Sequence, residues 1–163
     1  MSYAVEGTGK GPTYDFNEKN DIVKNPFIAE SAWGWPIDPL GLRYALNWLN
    51  ERYDLPLFIV ENGLGAADEQ QQDRQFDDVY RIDYLKNHIK AMRDSIMYDG
   101  VDVLGYTPWG VIDIVSAGTG EMTKRYGMIH VDRDDHGSGT NHRTKKKSFD
   151  WYQRVIASNG VML

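Results

Sequence analysis

Leu57-Phe58-Ile59-Val60-Glu61-Asn62-Gly63 constrains this chain more than any other stretch. Four apolar, strand-favouring residues predict a buried β-strand, and a carboxylate stands where that strand runs out. Asn62-Gly63 predicts an immediate turn, because both residues tolerate positive φ. A carboxylate at the mouth of a hydrophobic strand is expected to be partly desolvated and rigidly held. That placement suits nucleophilic or acid–base work, with capping or a salt bridge as the competing role.

The elements around this strand form a repeating order. Asp38 is a good N-cap and Pro39 fits a first helical position. Leu42, Ala45, Leu46, Leu49 and Tyr53 then recur at helical spacing. A longer helix is predicted over about 78–98, with Ile82, Leu85, Ile89, Met92 and Ile96 as its buried stripe and Gly100 as its stop. Residues 101–106 predict a second strand, which runs into Thr107-Pro108-Trp109-Gly110. Helix, strand, loop, helix, strand, loop implies parallel strands joined by helical crossovers, an α/β architecture.

The remaining segments are less regular. Residues 64–77 read as a solvated loop, and 110–126 as a long loop too apolar at Val111-Ile112-Asp113-Ile114-Val115 to be a mere linker. Residues 127–131 are strand-like. Residues 132–135 read as a solvated turn, because a calcium loop needs a glutamate that is missing here. Lys145-Lys146-Lys147 reads as the exposed approach to a last helix buried through Phe149, Tyr152, Val155 and Ile156. Gly7-Thr8-Gly9-Lys10-Gly11 has the wrong spacing for a phosphate loop, and no Ser or Thr follows its lysine.

Charge and composition narrow the partners. With 18 basic against 24 acidic residues the net charge is -6, which disfavours nucleic-acid binding, including through the lysine triplet. The chain has no cysteine, so disulfides and thiolate metal sites are excluded. No apolar run approaches membrane-spanning length and no signal-like N-terminus is present, so a soluble cytoplasmic protein is expected. No metal or organic cofactor is implied. The 163 residues read as one unit without an internal repeat or linker.

Several ordered motifs together resemble one enzyme family. Phe58-Ile59-Val60-Glu61-Asn62-Gly63 is similar to the nucleophile motif of glycoside hydrolase family 1. Tyr106-Thr107-Pro108-Trp109-Gly110 and Lys124-Arg125-Tyr126-Gly127 resemble that family's last strand and following loop, in the right order. Trp33-Gly34-Trp35 and the tail from Arg143 to Tyr152 also resemble it. The resemblance covers essentially the whole chain but only the C-terminal third or so of a family member. It implies the C-terminal part of a (β/α)8 TIM barrel, about strands 7 and 8 with their helices.

Within the family the likeness is to the 6-phospho-β-glucosidases. Ordinary β-glucosidases carry a Glu-Trp pair where this chain has Ser116 and Ala117. A carboxylate beside a phosphate would be repelled by about 4 kcal/mol per charge pair at contact and an effective dielectric near 20. A serine hydroxyl can donate a hydrogen bond instead. The resemblance implies that Ser116, Lys124 and Tyr126 hold a dianionic 6-phosphate, with a surface Lys-Arg beside a packed tyrosine as the alternative. The related 6-phospho-β-galactosidases bear tryptophan at the position of Ala117, so the small residue favours gluco sugars. Glu61 is the implied nucleophile of a retaining hydrolysis, and Trp109 the implied aromatic platform for the sugar.

A retaining glycosidase needs a second carboxyl about 5–5.5 Å from the nucleophile. In the family it lies in a Thr-x-Asn-Glu-Pro-type motif, and nothing here matches. Asn17-Glu18 lies in a polar stretch, and Asn50-Glu51 at a helix end. A complete barrel needs roughly 250 residues, so residues 1–163 read as an incomplete catalytic-domain fragment beginning just after a sixth strand. Uncovered barrel edges and exposed apolar surface are expected, with self-association as one consequence. The isolated chain is expected to be inactive or nearly so. The alternatives are a phosphate-free β-glucosidase, or a non-enzymatic fragment that at most binds sugar phosphate.

Overall fold

Asp38 and Pro39 start the first helix as the sequence predicts. The Asp38 carboxylate accepts a hydrogen bond from the Gly41 N–H at 2.8 Å, which satisfies one of the donors left open in a first helical turn. A computed structural model describes residues 4–5, 22–23, 25–68 and 76–163. In order these form β1 (Ala4–Val5), β2 (Ile22–Val23), α1 (Pro39–Tyr53), β3 (Leu57–Asn62), α2 (Val79–Asp99), β4 (Val103–Pro108), β5 (Ile129–Val131), β6 (Arg143–Lys145) and α3 (Lys147–Ala157). Gly7–Gly11 and Asn17-Glu18 lie outside the described residues. Among the described residues no helix is long and apolar enough to cross a membrane.

The central pair confirms the predicted crossover. β3 and β4 lie parallel, with Ile59 opposite Tyr106 and Asn62 opposite Pro108, and α2 makes the connection between them. Both strands therefore open at the same end, where parallel α/β structures carry their chemistry on loops. β1 pairs with β2 and β5 with β6, both antiparallel. The sequence predicts a strand-like piece at 127–131 but not its pairing with β6.

Two small apolar clusters fix the helices to one face of the β3–β4 pair. Leu46, Ile59 and Val101 form one. Leu64, Tyr84, Leu85, Ile89, Met128 and Val155 form the other, and Met92 and Tyr106 pack against both. The opposite face has no covering layer among the described residues. Only Ile59 of β3 is buried, whereas Phe58 and Val60 are exposed. The prediction of a wholly buried strand is thus corrected, because side chains alternate across a sheet and this sheet is packed on one side.

Other apolar stripes are corrected for related reasons. On α1 Leu46 is buried but Ala45 and Tyr53 are exposed, and a second row, Leu40, Tyr44 and Trp48, faces solvent. On α2 Ile96 is exposed, while Arg81, Tyr84, His88, Ala91 and Ser95 are buried. Arg81 donates to the carbonyls of Leu64 at 3.0 Å and Tyr126 at 2.8 Å. Arg81 thus turns inward where irregular backbone needs donors, whereas His88 and Ser95 bond to the Tyr84 and Met92 carbonyls of α2 itself. Ile156 of α3 is exposed. Residues 64–68 and 76–77 are not simply solvated either, since Leu64, Gly65 and Phe76 are buried. Asn62-Gly63 makes no positive-φ turn: Asn62 completes β3, and neither residue has φ above zero.

Candidate active site

The end of β3 is pinned from both sides. Thr107 on β4 donates its hydroxyl to the Val60 carbonyl at 2.5 Å, and the Trp109 N–H donates to the Asn62 carbonyl at 2.8 Å. The Asn62 side chain accepts from the Tyr106 hydroxyl at 2.6 Å and donates to the Tyr84 hydroxyl at 3.3 Å. Burial pushes both phenols above their ordinary titration range, so they act as neutral donors and acceptors. Glu61 sits between these fixed points with its backbone held on both sides.

Its carboxylate is exposed, which corrects the expected desolvation. Among the described residues no hydrogen bond or ion pair engages it. The strand end holds Glu61 in place, but a dry environment needs walls that only the uncovered side of the sheet could receive.

Trp109 follows β4 and reaches towards the same place. A Cβ on Gly63 would lie 3.0 Å from the Trp109 carbonyl oxygen, so glycine is what allows the two strand-end loops to touch. The Trp109 ring is half-exposed and meets Tyr126 edge-on, with centroids 6.0 Å apart. Tyr126 is buried, and its hydroxyl donates to Ser116 Oγ at 3.0 Å. Ser116 is buried as well, while Ala117 is exposed.

Lys124 completes the group. It is only 4% exposed, yet its ammonium meets no carboxylate among the described residues. Aromatic faces surround it instead: the Trp35 centroid lies 4.0 Å away, Trp33 5.6 Å and Tyr126 5.8 Å. A ring face attracts a cation without cancelling its charge. The alternative of an ordinary surface lysine does not describe this residue. Gly65 makes room for it, because a Cβ there would lie 2.7 Å from Lys124 Cγ and 3.1 Å from a Tyr126 ring carbon.

Beneath the loop lies a charge cluster that the sequence concealed. Lys146, from the lysine triplet, is 1% exposed rather than solvated. Its ammonium stands 2.9 Å from Asp113 Oδ1 and also contacts Asp68. Arg81 pairs with Asp78 at 3.1 Å, and Arg125 lies 3.6 Å from Asp113. His130 Nδ1 is 3.4 Å from Asp113 Oδ2. Burial pushes the Asp113 carboxyl up, but His130, Lys146 and the Gly127 N–H outweigh it and hold it below the usual carboxylate range. Asp68, Asp113 and His130 present ligand atoms within 4.8 Å of one another, in a geometry that could suit a metal. Lys146 already supplies the cation between the two carboxylates, and a metal ion would have to displace it.

The family model described as Glycosyl hydrolase family 1 matches residues 2–161. The chain belongs to glycosyl hydrolase family 1. An aryl-phospho-beta-D-glucosidase, BglA of Bacillus subtilis, is 60% identical over 141 residues, covering 86% of this chain and 29% of its own length. The 6-phospho-beta-glucosidase AscB of Escherichia coli is 59% identical over 138 residues, covering 85% and 29%. A 6-phospho-beta-galactosidase of Clostridium acetobutylicum is 35% identical over 153 residues, covering 91% and 31%.

Among solved structures, a family 1 β-glucosidase from Thermotoga maritima superposes with a TM-score of 0.77 at 33% identity, covering 86% of this chain and 30% of that one. The family 1 fold here is therefore the C-terminal part of a (β/α)8 barrel. The chain spans about 30% of the length of the curated relatives it matches.

Proposed function

We propose that this chain forms the C-terminal part of a 6-phospho-β-glucosidase, in which Glu61 is the nucleophile of a retaining hydrolysis and Ser116, Lys124 and Tyr126 bind the substrate's 6-phosphate. The observation that carries the proposal is Lys124: a buried ammonium held by aromatic faces, beside a hydroxyl pair and, among the described residues, without a carboxylate partner. Such a cradle keeps a full positive charge available for a dianion. Trp109 lies between it and the end of β3, so a sugar placed against that ring could direct its 6-phosphate to Lys124 and its anomeric carbon to Glu61. The product would be glucose 6-phosphate.

Gluco rather than galacto specificity fits the small Ala117 and the higher identity to glucosidases acting on phosphorylated sugars. A cytoplasmic location goes with the proposal, since a dianionic sugar phosphate does not cross a bilayer unaided. The sequence holds no Thr-x-Asn-Glu-Pro-type acid/base motif, so the isolated fragment is expected to be inactive, with the acid supplied by the rest of the barrel. Uncovered Phe58, Val60 and Leu104 favour self-association of the isolated chain.

The test grafts this chain in place of the matching stretch of the Bacillus subtilis relative. Hydrolysis of a chromogenic β-glucoside 6-phosphate is compared with that of its unphosphorylated counterpart. Turnover of the phosphorylated substrate, abolished by Glu61→Gln with sugar-phosphate binding retained, is the expected result. Equal turnover of both substrates would point to a phosphate-free β-glucosidase, and undiminished turnover by Glu61→Gln would overturn the nucleophile assignment.

A further inference from the structure

Trp33 and Glu121 stand 88 residues apart in sequence and meet through one hydrogen bond, the indole Nε1–H donating to Glu121 Oε2 at 3.1 Å. The same carboxylate oxygen accepts from the Thr119 hydroxyl at 3.2 Å. Glu121 also closes the turn that begins at Ser116. The Ser116 N–H donates to the Glu121 carbonyl at 2.9 Å, and the Gly120 N–H donates to the Ser116 carbonyl at 2.8 Å.

Trp33 belongs to a second tight turn. The Ser31 N–H donates to the Trp35 carbonyl at 2.9 Å, and Gly34 has a φ of 72°. The Ser31 hydroxyl accepts from the N–H groups of Trp33 at 3.3 Å and Trp35 at 3.2 Å. This turn presents both indole faces to Lys124. A closed circuit results: Ser116 to Glu121 through backbone, Glu121 to Trp33 through side chains, Trp35 to Lys124 through the ring face, and Tyr126 back to Ser116.

The carboxylate in that circuit is the residue most able to spoil a phosphate site. It lies three positions from Lys124 in sequence, and a glutamate free to reach that ammonium would neutralise the charge a phosphate needs. The indole N–H and the Thr119 hydroxyl hold it elsewhere, and no Glu121–Lys124 ion pair occurs among the described residues. We propose that Trp33 is a positioning and specificity-determining residue. Its N–H restrains Glu121 and so keeps that carboxylate away from the Lys124 ammonium. The proposal rests on the assignment of Ser116, Lys124 and Tyr126 as phosphate ligands.

All of these residues lie in this chain, so binding is testable on it directly. Calorimetric titration of the 163-residue chain with glucose 6-phosphate, and with glucose as control, gives the readout. Trp33→Phe keeps a ring face but loses the N–H, and is expected to weaken glucose 6-phosphate binding at least fivefold. Glu121→Gln removes the competing charge and keeps an acceptor, so it should bind within twofold of the parent. Glu121→Gln added to Trp33→Phe should recover most of the lost affinity, which a merely structural role for Trp33 would not allow. Parental affinity in Trp33→Phe, or a loss that Glu121→Gln does not rescue, overturns the proposal. A parent chain that binds glucose 6-phosphate no better than glucose overturns the phosphate cradle itself, and this inference with it.

Discussion

The ammonium of Lys146 lies 2.9 Å from Asp113 Oδ1, in a cluster that the side chains seal from water. The pair joins the start of α3 to the loop that carries Ser116. Removing one partner of a buried ion pair leaves an uncompensated charge, at a cost of about 3–5 kcal/mol. Lys146→Met should therefore lower unfolding free energy by that order in a urea titration. Lys147→Met is the control: its 2.8 Å pair with Asp77 is about half-exposed, and surface pairs contribute only about 0–1 kcal/mol. Equal effects of the two substitutions would contradict the assignment of a buried cluster.

Gly65 tests the cradle without altering any proposed ligand. Its added methyl would collide with the stem of Lys124 and the edge of Tyr126. Gly65→Ala should shift both side chains and weaken glucose 6-phosphate binding about tenfold, roughly 1.4 kcal/mol. The fold should survive, as judged by an unchanged far-ultraviolet dichroism spectrum. Unaltered affinity would show that Lys124 does not need its present position.

His88 provides a pH test of the core. Burial lowers its pKa, against smaller opposing effects from the Tyr84 carbonyl and Asp38. Its Nδ1 lies 2.7 Å from that carbonyl and its ring stacks on Tyr84. Because the folded pKa is below the unfolded value of about 6.5, the unfolded state takes up the proton first as pH falls. The neutral imidazole's full contribution is present above about pH 6.5 and is lost progressively down to the folded value. Melting temperature should fall over that range in the parent, and less steeply in His88→Gln.

Exposed apolar surface predicts association. Leu40, Tyr44 and Trp48 recur every fourth residue on the outer face of α1, with exposures of 73%, 71% and 47%. Sedimentation velocity of the isolated chain should show oligomers that grow with concentration. Tyr44→Lys with Trp48→Glu should reduce them, since both side chains lie outside the apolar clusters that hold the fold. A concentration-independent monomer would show that this surface is tolerated in water.

Local signals were legible in the sequence wherever one short segment decided the outcome. Asp38-Pro39 started a helix, Gly100 ended one with a φ of 74°, and the two strands paired in parallel. Ser116, Lys124 and Tyr126 could be grouped only through family resemblance, and folding does gather them. The buried role of Lys146 was hidden because a lysine triplet reads as solvated and its partners are remote in sequence. The Trp33–Glu121 contact was hidden for the same reason. Phe58 and Val60 misled differently: their apolarity suits a sheet covered on both faces, whereas the described residues cover one.

Ser116 offers the sharpest test of substrate class. Its hydroxyl is buried and accepts from Tyr126, so Ser116→Ala removes one hydrogen-bonding group, worth about 0.5–1.5 kcal/mol. In the grafted enzyme this should lower kcat/KM for the β-glucoside 6-phosphate by roughly two- to thirteenfold. Ser116→Glu instead places a carboxylate beside the phosphate, where repulsion of about 4 kcal/mol corresponds to a loss of about a thousandfold. Hydrolysis of the unphosphorylated glucoside by the same variant shows whether the barrel is intact, and it should persist or rise. If Ser116→Glu and Ser116→Ala reduced turnover of the phosphorylated substrate equally, the phosphate could not lie beside residue 116, and the cradle would lose one of its three ligands.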